Sequence, residues 1–204
     1  MQTGRLKAIV VWAAIAGVVI APLVAAAASP LLAWRDPIYI MAGFAGVASM
    51  ILLFIQPLAI AGWLPGLGGY RGRIVHRAIG TALVLAVLIH VSTLWMTSPP
   101  DVVDALLFRS PTPFSAWGVI AMWAVFAAAL LAVFRRRLRL RPRSWRRLHT
   151  SLAAAVVLGS VIHALLIEGT METMTKAALC ILVPGATIAA LIDLRIWGLR
   201  LFNR

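Results

Sequence analysis

The 204-residue sequence predicts an all-α membrane protein, a polytopic bundle of about six transmembrane helices with both termini in the cytoplasm. Hydrophobic residues make up 62% of the chain and charged residues only 12%, and the mean hydropathy is +0.97. This charge content is about half that of a typical soluble domain. The net charge of +13 does not indicate nucleic-acid binding, because the basic residues cluster between apolar segments. We therefore expect the lipid bilayer to surround the chain, and no nucleic-acid partner.

Six apolar segments account for the predicted helices, and most of them reach the roughly 17–25 residues that cross a bilayer. They are Leu6–Ala28, Ile38–Trp63, Ile74–Trp95, Trp117–Phe134, Leu148–Ile167 and Ala177–Trp197. Tryptophans fall near the predicted membrane interfaces, as is typical of transmembrane helices. These tryptophans are Trp34, Trp63, Trp95, Trp117, Trp145 and Trp197. We expect residues 1–204 to form a single domain, with no soluble flavin- or nicotinamide-binding module.

The first segment allows two interpretations. Its basic residues, its apolar run and the alanines at 25–28 also fit a secretory signal with a small-residue cleavage site. The apolar run is longer than a usual signal-peptide core, so we expect a retained helix. Cleavage would leave five spans with the same orientation.

The basic residues predict which side of the membrane each connection faces. All nineteen Lys and Arg residues except Arg35, Arg109 and Lys176 fall on the side of the N-terminus. All six Asp and Glu residues except Asp193 fall on the opposite side. Because cytoplasmic loops carry the excess of Lys and Arg, the arginine-rich side is predicted to be cytoplasmic. This predicts a multi-pass protein of the inner (plasma) membrane.

All four histidines fall into two pairs of equal spacing. His76 and His90 are fourteen residues apart in the third segment, as are His149 and His163 in the fifth. On a helix, this spacing leaves a rotation of about 40° and a separation of roughly 21 Å, so both members share one face near opposite ends of the span. The third and fifth segments both run from inside to outside and are therefore parallel. His76 is then level with His149 on the cytoplasmic side, and His90 with His163 toward the outside.

Two imidazoles facing each other at each level match the axial ligands of two stacked haems. Ligation by two histidines closes both axial positions of the iron, which suits one-electron transfer rather than oxygen binding. Zinc is a weaker alternative, because the histidines of one helix lie too far apart to share an ion and two histidines alone make a poor zinc site. The pattern therefore predicts His76, His149, His90 and His163 as haem-iron ligands.

Other residues near these segments have more than one interpretation. Gly80 and Gly159 each lie one turn from a histidine and either admit a macrocycle to the backbone or serve ordinary helix packing. Residues 102–108, within the proline-rich segment 96–116, could form a short interfacial helix. The single cysteine, Cys180, excludes an intrachain disulfide and is expected to pack as a small hydrophobe. Six arginines could pair with haem propionates, although membrane topology also accounts for them: Arg71, Arg73, Arg77, Arg143, Arg146 and Arg147.

The sequence resembles the ferric reductase-like transmembrane domain family. That family includes the membrane part of metalloreductases and NADPH oxidases, and the haem-binding membrane subunit of the periplasmic methionine sulfoxide reductase system. The resemblance depends on two H-x13-H motifs, HRAIGTALVLAVLIH and HTSLAAAVVLGSVIH, and covers a haem-binding core of about residues 71–167. Respiratory b-type cytochromes use similar spacing in larger proteins. The resemblance implies two haem b groups and electron transfer from a cytoplasmic or membrane donor to an acceptor on the outer face.

Two functions follow from this resemblance, and they leave open whether the chain is itself an enzyme. The first is an electron-transfer subunit whose donor is a separate flavoprotein reductase, a quinol or a loosely held flavin (FMN or FAD), with a periplasmic protein as acceptor. It is favoured because no glycine-rich dinucleotide fingerprint follows the last span. The alternative is a self-contained ferric reductase that reduces ferric iron at the outer surface. Acidic residues there could gather cations, namely Asp101, Asp104, Glu168 and Glu172. A haem-free packing or transport protein is a third class, and it leaves the histidines unexplained.

Overall fold

The computed structural model describes the backbone of residues 2–200 and the side chains of residues 2–194. This part of the chain is all helical and contains no strand. Its helices are α1 (Gln2–Ala27), α2 (Pro37–Ala61), α3 (Tyr70–Thr97), α4 (Pro99–Leu106), α5 (Pro113–Phe134), α6 (Pro142–Leu166) and α7 (Thr173–Arg200). Arg204 lies outside the described residues, as do the side chains of Arg195, Trp197 and Arg200. The predicted fold class is confirmed.

Six of these helices, all except α4, are long and apolar enough to cross a membrane. They correspond one to one with the six apolar segments, and their ends differ from the predicted ends by a few residues. In hydrocarbon the backbone must satisfy its own hydrogen bonds, so each apolar run is expected to be helical along its whole length. The chain is therefore a multi-pass membrane protein, while the side on which its termini lie stays a prediction.

Prolines and glycines set several of the helix boundaries. Helices α2, α4, α5 and α6 all begin at a proline, whose missing N–H is not needed in the first turn. Helix α2 is followed by Gly62, whose φ of 74° is in the left-handed region that commonly ends a helix. The predicted short helix of residues 102–108 is present as α4. It starts earlier than expected because the prolines at 99 and 100 fit the first turn.

The described part of the chain forms two compact units. Among the described residues, unit one contains 2–30, 47–83 and 171–200, and within it α1 packs against α7. Unit two contains Leu31–Gly46 and Val84–Thr170, and within it α5 packs against α4 and, much more extensively, α6. His76 belongs to unit one, whereas the other three histidines belong to unit two. The expectation of a single domain stays a prediction.

Candidate functional site

Unit two brings together the side chains of His90 and His163. His90 lies on α3 and His163 on α6, and their ring centroids are 6.4 Å apart with the ring planes at 86° to each other. These are the two histidines that the topology places level with each other toward the outer side. Their juxtaposition agrees with that pairing, while their role as ligands stays a prediction.

Each of these rings is held by the backbone of the preceding helix. Nδ1 of His90 lies 2.7 Å from the carbonyl oxygen of Ala42, and Nδ1 of His163 lies 2.8 Å from the carbonyl oxygen of Phe114. Because a carbonyl oxygen only accepts, Nδ1 carries the hydrogen in both rings and donates it. The lone pair is then on Nε2. A histidine that ligates a metal almost always donates its other ring N–H in this way.

The spacing of the two rings fits a six-coordinate haem. A bond from an imidazole nitrogen to a metal is about 2 Å long, and each nitrogen lies about 1 Å from its ring centre, so two opposed ligands have centroids about 6 Å apart. The observed 6.4 Å agrees. Among residues 2–194, no three His, Cys, Asp or Glu side chains cluster as a metal site would require. Two imidazoles therefore suit a metal that brings its own equatorial ligands, as haem iron does, better than zinc.

Two glycines beside these rings could not be recognised from the sequence. A Cβ atom added to Gly118 would lie 2.7 Å from Nδ1 of His163. A Cβ atom added to Gly46 would lie 3.4 Å from Nδ1 of His90. Their role depends on which residue of the neighbouring helix faces them. The sequence shows only that α2 and α5, which precede the two helices that bear the histidine pairs, each contain a glycine.

The two glycines that the sequence did single out have a different role. A Cβ atom at Gly80 would meet the side-chain amide of Gln56 at 3.0 Å. A Cβ atom at Gly159 would meet the carbonyl oxygen of Trp117 at 2.9 Å and the Cβ of Ala121 at 3.1 Å. Both glycines allow close contact between neighbouring helices. Of the two interpretations left open, the structure favours helix packing.

The two histidines of the predicted inner pair lie in different units. In unit one, Nδ1 of His76 lies 3.2 Å from the backbone carbonyl oxygen of Gln56. In unit two, the ring of His149 stacks on the indole of Trp145, with centroids 5.1 Å apart and planes at 15°. The guanidinium of Arg135 lies 4.8 Å from the centre of that indole. The inner pairing of His76 with His149 stays a prediction.

The six arginines considered for propionate binding are all exposed, and that role stays a prediction. Arg73 lies over the ring of Tyr70, at 5.8 Å from its centre.

Cys180 is only 6% exposed, in agreement with its expected role as a small packed hydrophobe.

Two of the four acidic residues considered for cation binding have local partners. One carboxylate oxygen of Asp101 accepts the hydroxyl of Ser98 at 2.6 Å. The carboxylate of Glu172 accepts the backbone N–H of Met174 at 2.7 Å and that of Thr175 at 2.9 Å. These contacts, led by the one from Met174, hold the pKa of the Glu172 carboxyl below its ordinary value. Glu172 thus caps the start of α7.

The fold and the site define a class of protein, a multi-pass membrane protein with a pair of facing histidines between its helices. Residues 42–160 match the family described as ferric reductase like transmembrane component. The match covers more than half of the chain, and the chain belongs to this family. It includes His76, His90 and His149 and ends just before His163. Neither a curated protein nor a solved structure matches the chain. Membership suggests a role in transmembrane electron transfer or reduction, and such domains generally bind haem.

Proposed function

We propose that this chain is a haem b-containing electron-transfer protein that carries electrons across the membrane. The observation that carries the proposal is the geometry of His90 and His163, whose rings are 6.4 Å apart with Nδ1 of each bonded to a backbone carbonyl. Because Nδ1 of each ring donates to a carbonyl oxygen, Nε2 carries the lone pair, and we propose that the two Nε2 atoms are the ligands of the haem iron. A bound haem would supply one-electron redox chemistry, and closure of both axial positions would keep oxygen from the iron.

The residues around the outer pair have distinct roles in this proposal. His90 and His163 would hold the haem iron through Nε2. The carbonyl groups of Ala42 and Phe114 fix the ring orientations and raise the basicity of both ligands, because a donated Nδ1–H increases the electron density of the ring. The apolar helices around the pair would keep water from a bound haem, which would limit the rearrangement of the surroundings when the charge of the iron changes.

We assign a second haem to His76 and His149 on the cytoplasmic side. Support comes from the equal fourteen-residue spacing of the two pairs and from the contact of His76 with the carbonyl group of Gln56. Gln56 is also fourteen residues from Ala42, so α2 places one backbone carbonyl group beside Nδ1 of each histidine of α3. Two haems about 21 Å apart along the helices would span most of the hydrocarbon core.

The proposed direction is from the arginine-rich side to the opposite side. The donor is a separate flavoprotein reductase, with FMN or FAD, or a quinol, and the acceptor is a periplasmic protein. The arginine distribution supports a cytoplasmic location for both termini and an inner-membrane location for the chain. The exposed arginines between α5 and α6 would attract the phosphate groups of a flavin cofactor or an acidic face of its protein.

The alternative is a self-contained reductase that reduces ferric iron at the outer surface, and the family description favours it. The capping role of Glu172 and the bond from Ser98 to Asp101 make these two carboxylates weaker candidates for gathering iron. We therefore rank the electron-transfer subunit first.

Haem content tests the proposal directly. The purified chain, expressed with sufficient haem, should contain two b-type haems, as measured by a reduced-minus-oxidised spectrum and by haem quantification. His90→Ala or His163→Ala should remove the outer haem, and His76→Ala or His149→Ala the inner one. Thr150→Ala, at an adjacent position on α6 whose hydroxyl bonds to the helix backbone, is the control and should keep both haems. A haem-free wild-type protein would contradict the proposal.

Vesicles separate the two candidate functions. The chain is reconstituted with a chemical reductant inside and a ferric chelate outside, and ferrous iron is measured outside. Rapid iron reduction without any partner protein would favour the self-contained reductase. Reduction of the haems without turnover of the chelate would favour the electron-transfer subunit.

A further inference from the structure

The two outer histidines are held by the same local arrangement on different helices. On α2, the carbonyl group of Ala42 accepts Nδ1–H of His90, and the residue four positions later is Gly46. On α5, the carbonyl group of Phe114 accepts Nδ1–H of His163, and the residue four positions later is Gly118. Helices α2 and α5 each precede a helix that bears a histidine pair. The arrangement is thus repeated in the two halves of the site.

Helix geometry explains why the fourth residue matters. In an α-helix, the carbonyl group of residue i already accepts the N–H of residue i+4, and a second donor must approach its remaining lone pair. The side chain of residue i+4 lies on the same helix face and flanks that approach. A glycine at this position leaves the second lone pair open to an imidazole from the neighbouring helix.

The two glycines differ in how closely the imidazole approaches. At Gly118 an added Cβ would lie 2.7 Å from Nδ1 and 2.9 Å from Cε1 of His163, so the ring would have to move. At Gly46 the nearest atoms, both of His90, would be at 3.4 Å, which a small shift accommodates. The ring of Phe114 also lies edge-on to His163, with centroids 5.8 Å apart, and so limits the movement of that imidazole on another side.

We propose that Gly118 is a positioning residue for His163: its missing side chain lets the imidazole reach the carbonyl group of Phe114 and so sets the direction of Nε2. The inference deepens the proposed function, on which it rests in assigning Nε2 to haem iron. A methyl group at position 118 would push the His163 ring away from the carbonyl oxygen of Phe114. The hydrogen bond that Nδ1–H donates to this oxygen would then be lost. Gly46 also provides room for His90, but an added methyl group would fit there with a smaller shift of the ring than at Gly118.

The test compares three glycine-to-alanine variants of the full chain. Gly118→Ala removes the space beside His163. Gly159→Ala is a matched packing control, because its Cβ would be equally crowded between α5 and α6, yet its closest contacts are with Trp117 and Ala121 rather than a histidine. Gly46→Ala is the control at the equivalent position of the repeat. Alanine favours helix over glycine, so a loss caused by Gly118→Ala cannot come from helix propensity.

Two readouts are measured on each variant. The first is the outer haem itself, by haem per chain, by its electron paramagnetic resonance signal and by its reduction potential. We expect Gly118→Ala to lose the outer haem or to shift its signal and potential. Gly159→Ala should lower thermal stability but leave the outer-haem signal of the folded protein unchanged, and Gly46→Ala should match the wild type. An unchanged signal in Gly118→Ala, or an equal change in Gly159→Ala, would overturn the inference.

The second readout does not need haem. In chain labelled with ¹⁵N-histidine and prepared without haem, His163 of the wild type should show the tautomer with hydrogen on Nδ1. Gly118→Ala should alter that resonance, and Gly159→Ala should not. If the wild type binds no haem but His163 responds in this way, the positioning role stands and the proposed function fails. If haem binds and Gly118→Ala changes neither readout, the positioning role alone fails.

Discussion

The imidazole of His149 stacks on the indole of Trp145, with ring centroids 5.1 Å apart and planes at 15°. The two residues are four positions apart in the first turns of α6 and so share one helix face. The guanidinium of Arg135, at the C-terminal end of α5, lies on the indole at 4.8 Å from its centre. The three side chains form a column that connects the end of α5 to the start of α6. The column limits the rotation of the His149 ring.

Trp145→Leu should therefore weaken haem binding at the proposed inner site. An aromatic pair contributes about 0.5–1.5 kcal/mol beyond its buried area, which corresponds to about a two- to tenfold change in affinity. We expect a loss of haem affinity of this size at the inner site, measured by haem titration of the haem-free protein. Trp145→Phe keeps a stacked ring and should retain most of the affinity. Equal affinities in Trp145→Leu and the wild type would show that the stack does not orient His149.

The perpendicular rings of His90 and His163 predict the electronic structure of the proposed outer haem. In a haem held by these two rings, ligand planes at 86° would interact almost equally with the two iron d orbitals of π symmetry, and the two orbitals would be nearly equal in energy. The oxidised outer haem should then give a strongly anisotropic low-spin signal with one broad low-field feature. Low-temperature electron paramagnetic resonance of His76→Ala protein, in which we expect only the outer haem, measures it. A rhombic signal with three resolved features would instead indicate parallel rings.

Close packing beside the outer site makes Gly43 sensitive to substitution. A Cβ atom at Gly43 would overlap the hydroxyl of Thr170, which is only 8% exposed in the connection between α6 and α7. Gly43→Ala should destabilise the protein by about 1–3 kcal/mol, the usual cost of overpacking, seen as a lower Tm in detergent. Gly169→Ala is the control, because its Cβ would contact only the Ile167 side chain, at 3.8 Å and beyond.

A double variant checks the cause. Thr170→Gly removes the side chain that Gly43→Ala would meet, so the Tm loss of the double variant should be smaller than the sum of the two single losses. Additive losses would show that the two positions do not interact. Because Gly43 adjoins Ala42, which accepts the hydrogen bond of His90, the single variant should also broaden the outer-haem signal.

The six spans were predictable because length and apolarity alone decide whether a helix can cross a bilayer. The sequence also predicted that His90 and His163 lie at the same depth, because this follows from the helix repeat and from the direction of the two spans. The carbonyl groups of Ala42 and Phe114 and the role of Gly118 were not. They depend on the rotation of α2 and α5 about their own axes, which side-chain packing sets and apolar composition does not reveal.

Glu172 has a structural role at the start of α7. The sequence placed this carboxylate among possible cation ligands at the outer surface. In the structure it accepts the N–H groups of Met174 and Thr175 at the start of α7, where a negative charge also interacts favourably with the helix dipole. The sequence alone does not show that Glu172 caps a helix rather than binds a cation. Any acidic residue just before a helix could act as a cap.

The capping contacts should make the stability of the protein depend on pH in a defined direction. The N–H groups of Met174 and Thr175 lower the pKa of Glu172 in the folded state, below its ordinary value of 4.5. The stabilisation is therefore fully present above the unfolded-state pKa and is lost as the pH falls through the lower folded-state value. Glu172→Gln keeps one acceptor oxygen and removes the charge. It should thus have a lower Tm than the wild type at pH 7, and the difference should shrink steadily below about pH 4.5. Glu168→Gln, four residues earlier and outside the cap, is the control for the loss of one carboxylate charge in the same connection. A Tm difference for Glu172→Gln that stays constant from pH 7 to pH 3 would mean that the ionised carboxylate does not stabilise α7.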